Sequence, residues 1–457
     1  MKIMFVMPPS KSIIKSTLGT SGLPLGLAYM AAVTEREGHK TKLIDALALD
    51  YTMADVGREV KKFNPDIVGI TATTSTIYNA YDVAKTVKEI NSECTTVIGG
   101  PHVTFMAKET LKECPQMDIV VRGEGEGTIK EIVKAAEKKS SLKKVKGITF
   151  RNNNRITETD DRPFIQNVDD IPFPAYHLLP MEKYRSPVGR FGMVMTSRGC
   201  PFSCNFCSSS RLCGKVWRAR SPGNIIKELR LLKEEYGITE IEFMDDTFTL
   251  DNKRAGDIAD LIVKNKLDIS WTCSSRVDTL TQKLAYKLKN AGCHTLYLGI
   301  ESGSQKILNI IGKGITLEKS TRAVNITKRV KLNTLGSFIL GIPGDTRETI
   351  EKTIRFARKL GTTFAQFTIL TPYPGTKFFE EADKKGLILT KDWSKYTTLD
   401  PVLKIPGIPA KYLKRFLRKA YLNFYLRPKF IMEQIRYKNF HILKHALSVG
   451  IKYMKSS

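Results

Sequence analysis

Cys200-Pro-Phe-Ser-Cys204-Asn-Phe-Cys207 gathers three thiols within eight residues, directly after Arg198-Gly199. Thiolates this close in sequence can be turned toward one cubane iron–sulfur cluster. A 4Fe–4S cluster takes four cysteines when the protein holds every iron. With three, one iron keeps an open position, which a metal site needs to engage a substrate. The amino and carboxylate groups of an amino acid can chelate such an iron, and the reduced cluster can pass an electron to a sulfonium beside it. Two other readings stay open on spacing. Cys213 is near enough to be a fourth ligand, and cysteine-rich loops also build zinc sites, although those usually bring a second cysteine pair further on.

Polar and glycine-containing clusters follow at regular intervals. They are Glu242-Phe-Met-Asp245-Asp246-Thr-Phe248, Ser274-Ser275-Arg276-Val-Asp278, Leu298-Gly-Ile-Glu301-Ser-Gly303, Phe338-Ile-Leu-Gly341-Ile-Pro343-Gly344 and Tyr373-Pro-Gly375-Thr376. Taken singly, each reads as a turn, a cap or an ion pair such as Arg276 with Glu301. Their order behind the cysteines makes them candidates for holding a ligand.

The elements that must position these groups are strand–helix repeats. Over 191–385 the apolar runs predict strands at Met193–Ser197, Glu240–Met244, Ser270–Cys273, Thr295–Ile300, Leu335–Ile339 and Phe364–Leu370, with helices between. Six such units suggest a partial barrel with its chemistry at the C-terminal strand ends. Residues 1–135 repeat the alternation: strands at Lys2–Met7, Lys42–Ile44, Asp66–Thr71, Thr95–Gly100 and Ile119–Val121, helices at Leu25–Glu37 and Tyr78–Asn91. That predicts a parallel sheet with both faces covered, whose ligands bind beyond the strand ends at Thr71–Thr76, Gly99–His102 and Gly123–Glu126. The stretch between reads as a connector with a hairpin across Asn152-Asn153-Asn154 and a Pro-rich Asp170–Pro174. The expected organisation is thus 1–140, a linker 141–189, a barrel 190–385 and a basic helical extension 386–457.

Eight cysteines, sparse outside one cluster, argue against a disulfide scaffold and for metal chemistry in a reducing compartment. No run approaches the roughly eighteen apolar residues of a spanning helix, and the apolar start meets Pro8-Pro9 at once, too early for a signal peptide. A cytoplasmic location is expected. The formal net charge is +27, which favours an anionic partner or simply gives a basic surface. From Pro401 onward thirteen Lys or Arg face one acid, Glu433, interleaved with aromatics. That pattern suits a helix on an anionic membrane at the inner face, and hence a lipid-like substrate, or a helical cap with a charged outer side. Nucleic acid is not expected.

The C-x3-C-x2-C run, with an aromatic residue before its last cysteine, resembles the signature of the radical S-adenosylmethionine superfamily, and the clusters behind it fall where that family's partial barrel places them. The resemblance covers about 190–380. It implies that Cys200, Cys204 and Cys207 hold a 4Fe–4S cluster. It also implies that Asp245, Asp246, Ser274, Arg276, Glu301 and Gly341 bind S-adenosylmethionine. Upstream, Pro24-Leu-Gly26-Leu-Ala-Tyr29, Thr71-Ala-Thr73-Thr-Ser75, Gly99-Gly100-Pro-His102 and Gly123-Glu124-Gly-Glu126 resemble the flavodoxin-like, doubly wound cobalamin-binding domain that precedes many such barrels. Thr71, Thr73, Ser75, Gly99, Gly100, His102, Gly123 and Glu124 would then face cobalamin. The Asp-x-His-x-x-Gly motif by which many cobalamin proteins ligate cobalt is absent; Asp45-Ala-Leu47 stands where it would begin.

The implied activity is methylation of an unactivated carbon of a small or lipid-like molecule, with a one-electron donor such as ferredoxin or flavodoxin. Rival readings are a cyclase or carbon–carbon bond-forming enzyme with the same cofactors, a tRNA methylthiotransferase, and a non-enzymatic basic membrane or nucleic-acid binding protein with a structural metal. The methylthiotransferases carry extra N-terminal cluster cysteines, whereas Cys94 and Cys114 stand alone here.

Overall fold

The computed structural model describes residues 1–10, 22–152, 155–186, 189–428 and 430–432. It divides into two compact units. One comprises Met1–Pro201, Ser208–Ile241 and Asp392–Ser394; the other comprises Phe202–Cys207, Glu242–Lys391 and the described part of Lys395–Ser457.

The first unit is built on β1 (Lys2–Met7), β2 (Lys40–Asp45), β3 (Ile67–Thr71), β4 (Thr95–Gly99) and β5 (Ile119–Val121), parallel in the order β2-β1-β3-β4-β5. This is a doubly wound sheet with its switch point between β1 and β3. Ile3, Met4, Phe5 and Val6 of β1 are all buried, as a parallel strand covered on both faces requires. The hairpin read from the sequence is present as β6 (Ile148–Asn152) and β7 (Arg155–Glu158), its turn residues 153–154 lying outside the described ones. It is more than a connector, because β6 pairs antiparallel with β5 and extends the sheet. Arg122 fixes it there, donating to Ile148 O and Thr149 Oγ1 (both 2.6 Å) and to Thr159 O (2.5 Å).

The second sheet has the order β16-β15-β14-β13-β12-β9-β8. Its strands are β8 (Arg185–Ser186), β9 (Gly189–Val194), β12 (Glu240–Phe243), β13 (Ser270–Arg276), β14 (Cys293–Glu301), β15 (Asn333–Leu340) and β16 (Phe364–Ile369). β13 to β16 are parallel neighbours, the half-barrel expected. Most strand ends lie one to three residues from the sequence reading, and two of the differences move candidate residues or whole elements. The first strand is Gly189–Val194 instead of Met193–Ser197; Gly189-Arg190-Phe191-Gly192 has poor strand propensity, which tertiary packing overrides. Ser197–Arg198 forms instead a short antiparallel ribbon, β10, with β11 (Arg218–Ala219). Ser274 and Arg276 fall inside β13, not after it. Helices that follow the strands start on side-chain caps: Asp251, Thr281, Thr316, Thr346 and Thr376 each accept a backbone N–H three residues on.

The helix Ala410–Tyr425 packs Leu413, Leu417, Ala420 and Phe424 into the core of the second unit with Phe338, Leu340 and Phe367. Tyr425 Oη donates to Ala365 O (2.8 Å) and accepts from Ala365 N (3.0 Å); Tyr421 Oη does the same with Phe367 O (3.0 Å) and N (3.2 Å). Two tyrosines thus satisfy the outer backbone of β16, the last strand in the order. Lys411, Lys414, Arg415, Arg418 and Lys419 are not among the buried residues of this helix. It is therefore a cap whose apolar face is already used, and that face is not offered to a membrane. Ile435 and the charges beyond it lie outside the described residues.

Candidate functional site

In the second unit the segment Phe202–Cys207 is held from several sides. Asn205 donates from N to Ile311 O (2.9 Å) and from Nδ2 to Ile310 O (2.7 Å), and its carbonyl accepts from Phe378 N (3.1 Å). The Arg276 guanidinium lies 3.5 Å from the centroid of the Phe202 ring, and Lys313 Nζ lies 6.0 Å from that of Phe206. Arg276 is fixed in turn by a fork on Asp278 (3.0 Å to each oxygen) and a bond to Lys313 O (2.8 Å). Lys313 pairs with the Glu301 carboxylate. Burial pushes the Cys204 thiol up; Lys313 and Arg276 pull against that, while Cys207 and Glu301 add to it. Two cations therefore stand where a thiolate would need them.

Glu301 ends β14 with φ 67, at a register shift against β15. A left-handed non-glycine residue costs about 1–3 kcal/mol and is typical of functional positions. Gly341, at the end of β15, has φ 76; Leu413 lies 2.9 Å from where its Cβ would be. The turn after it is closed by Asp345, whose Oδ2 accepts from Gly341 N (3.1 Å) and Ile342 N (2.9 Å). Asp345 and Lys313 were not singled out from the sequence; the Pro343-Gly344-Asp345 turn was the available signal for the first. Asp246 is exposed and Ser274 half-buried, whereas Asp245 is buried. Cys200, Cys204, Cys207 and Cys213 are partly exposed; Cys94, Cys114, Cys273 and Cys293 are buried. Among the described residues no three His, Cys, Asp or Glu side chains converge as one metal ion requires. A cubane asks for one thiolate per iron instead.

In the first unit Cys200 N donates to Gly214 O (3.1 Å). The strand ends present Thr73, exposed, with Thr71, Ser75, Gly99, Gly100 and Gly123 partly exposed. A Cβ at Gly123 would meet nothing within 4 Å, and one at Gly99 only Val121, at 4.0 Å. These ends leave room for a flat ligand against the backbone, which fits a corrin. His102 is buried: its Nδ1 is 3.3 Å from Thr74 Oγ1, the Trp393 ring stacks edge-on at 5.0 Å, and burial pushes its pKa down to about 4. Both Glu124 carboxylate oxygens are engaged within the protein: they accept from Arg198 Nη1 (3.2 Å), Arg218 Nη1 (2.9 Å) and Ile165 N (2.7 Å).

Residues 194–357 match the radical SAM superfamily and 11–133 the B12 binding domain. The chain is 54% identical over 447 residues, 98% of its length and 97% of the relative's, to an uncharacterized methyltransferase, PH0819, of Pyrococcus horikoshii. It is 29% identical over 442 residues to the anaerobic magnesium-protoporphyrin IX monomethyl ester cyclase of Rubrivivax gelatinosus, covering 93% and 79% of the two chains. The solved structure of the cobalamin-dependent S-adenosylmethionine radical enzyme OxsB shares its fold, with a TM-score of 0.77 at 17% identity over 98% of this chain and 72% of that one.

A doubly wound sheet with open glycine strand ends, a three-cysteine loop and a parallel half-barrel define an enzyme that works with an iron–sulfur cluster, S-adenosylmethionine and a corrinoid. The chain belongs to the radical SAM enzymes that carry a B12 binding domain, and its cofactors are a 4Fe–4S cluster, S-adenosylmethionine and cobalamin. Membership sets aside the non-enzymatic reading. Among the described residues no helix is long and apolar enough to cross a membrane.

Proposed function

We propose that this enzyme transfers a methyl group to an unactivated carbon of a small molecule. The observation that carries the reading is the near full-length 54% identity to a relative described as a methyltransferase, in a chain that pairs the cysteine loop with an open-ended B12-type sheet. When bound, the cofactors supply the hard chemistry: one electron cleaves S-adenosylmethionine to methionine and a 5′-deoxyadenosyl radical, and cobalamin carries the methyl.

The protein's part is positioning. Cys200, Cys204 and Cys207 hold three irons. Asp246 and Ser274 face S-adenosylmethionine directly, and Gly341 supplies the left-handed turn beside it. Arg276 and Glu301, already partnered, act through Phe202 and Lys313. Thr71, Thr73, Ser75, Gly99, Gly100 and Gly123 border cobalamin. A ferredoxin- or flavodoxin-type protein supplies the electron. The lipid-like substrate rested on a membrane-facing tail, and the packed helix Ala410–Tyr425 removes that support.

A second reading, oxidative cyclisation with the same machinery, is favoured by the 29% identity to the Rubrivivax cyclase. Metabolite comparison between a deletion strain and its parent separates the two. Methyl transfer predicts that the deletion strain accumulates a molecule lighter than the missing product by one methylene unit. A pair differing by two hydrogens instead would establish the cyclase and overturn methylation.

A further inference from the structure

We infer that Glu124 and Glu126 are positioning residues for the cluster loop, holding Cys200 in place through Arg198 and Arg218; this rests on Cys200 being a cluster ligand. Sequence order puts Glu124 on the loop after β5 and Glu126 at the start of the helix Glu126–Glu137, where a cofactor-facing role would be natural. Their bonds point elsewhere. Arg198 reaches Glu124 Oε1 (3.2 Å) through Nη1 and Glu126 Oε1 (2.6 Å) through Nη2. Arg218, its neighbour across the β10–β11 ribbon, donates to Glu124 Oε2 (2.9 Å), to Ile165 O (2.6 Å) and to Cys213 O (2.7 Å). The four side chains are 10% exposed or less.

The ribbon leads directly into the first cysteine. Gly199, with φ 89, has the carbonyls of Val216, Gly214 and Cys213 packed where a side chain would be, and Cys200 N donates to Gly214 O. Arg218 therefore ties the backbone at Cys213 to Glu124, and Arg198 ties the backbone two residues before Cys200 to Glu124 and Glu126. Buried ion pairs are a weak source of stability. They are good at fixing geometry, because a forked guanidinium accepts one orientation. Partners that orient metal ligands matter nearly as much as the ligands themselves.

The test uses the full chain, reconstituted without oxygen with iron and sulfide and supplied with hydroxocobalamin. Glu124→Gln and Glu126→Gln are compared with the native protein by iron content, corrinoid absorbance, and the electron paramagnetic resonance spectrum of the reduced cluster with and without S-adenosylmethionine. We expect iron retention about 10–100-fold weaker, a changed spectral response to S-adenosylmethionine, and native cobalamin retention. Arg198→Lys keeps the charge and removes only the fork, so it should move the same readouts if a Gln variant fails to fold. Native iron and native spectra with cobalamin lost would overturn the inference and return Glu124 to the corrinoid. Loss of both cofactors would also overturn it, as general loosening of the unit. Cys200→Ala separates the underlying reading: retained iron and an unchanged spectrum there would remove Cys200 from the cluster, whatever the glutamate variants do.

Discussion

Lys313 Nζ and the Glu301 carboxylate form a buried ion pair over Gly299, where a Cβ would sit 2.6 Å from Glu301 Oε1. Both side chains are 7% exposed. Removing one partner leaves the other charge uncompensated. Glu301→Gln should therefore cost about 3–5 kcal/mol of stability, measured by denaturant unfolding. Glu301→Gln combined with Lys313→Met should recover part of it. A loss below about 0.5 kcal/mol, the range of ordinary surface substitutions, would show that water reaches the pair.

Gly100 has φ 120, and a Cβ there would lie 2.5 Å from Ala72 O at the end of β3. Gly100→Ala must push the Gly99–His102 and Thr71–Ser75 loops apart. The native protein should retain about one equivalent of cobalamin, as a single doubly wound domain implies. The variant should retain markedly less, measured by corrinoid absorbance after gel filtration. Equal retention would detach these loops from cobalamin.

His102 carries a pH dependence of known sign. Burial lowers its folded-state pKa from 6.5 to about 4, so between those values the unfolded chain binds the extra proton. Stability should fall as the pH drops from about 6.5 to about 4, by up to about 3 kcal/mol, and no further below that from this residue. Thermal melts across this window should be steeper in pH for the native protein than for His102→Gln. Parallel curves would mean that the imidazole is hydrated in the folded state.

The paired tyrosines of the helix Ala410–Tyr425 make a fourth structural claim testable. Tyr421→Phe and Tyr425→Phe each strip a hydroxyl that serves one N–H and one C=O of β16. Each should cost about 1–3 kcal/mol, and hydrogen exchange at Phe367 or Ala365 should accelerate. Unchanged exchange would indicate that water already satisfies that edge.

The parallel strands were legible because period and composition agree: Ile67–Thr71 and Thr95–Gly99 are short apolar runs bounded by turn residues. Strand β9 was displaced in the sequence reading because glycine and arginine open it, and only packing reveals its start. The cysteine trio was legible from spacing. Lys313 was not, because its importance comes from Glu301 and Phe206, neither of which neighbours it in sequence. Glu124 reads from its strand-end position as a cofactor contact; its pairing with Arg198 and Arg218 was not legible, because both arginines lie far from it in sequence.

The most direct test of the central claim is anaerobic turnover of S-adenosylmethionine by the reduced, reconstituted protein and two cysteine variants, read as 5′-deoxyadenosine formed. Three thiolates and one open iron predict that the native protein and Cys213→Ala form it and that Cys204→Ala forms none. Loss of product in Cys213→Ala, with spectra showing that its thiolate fills the fourth corner in the native protein, would contradict the account.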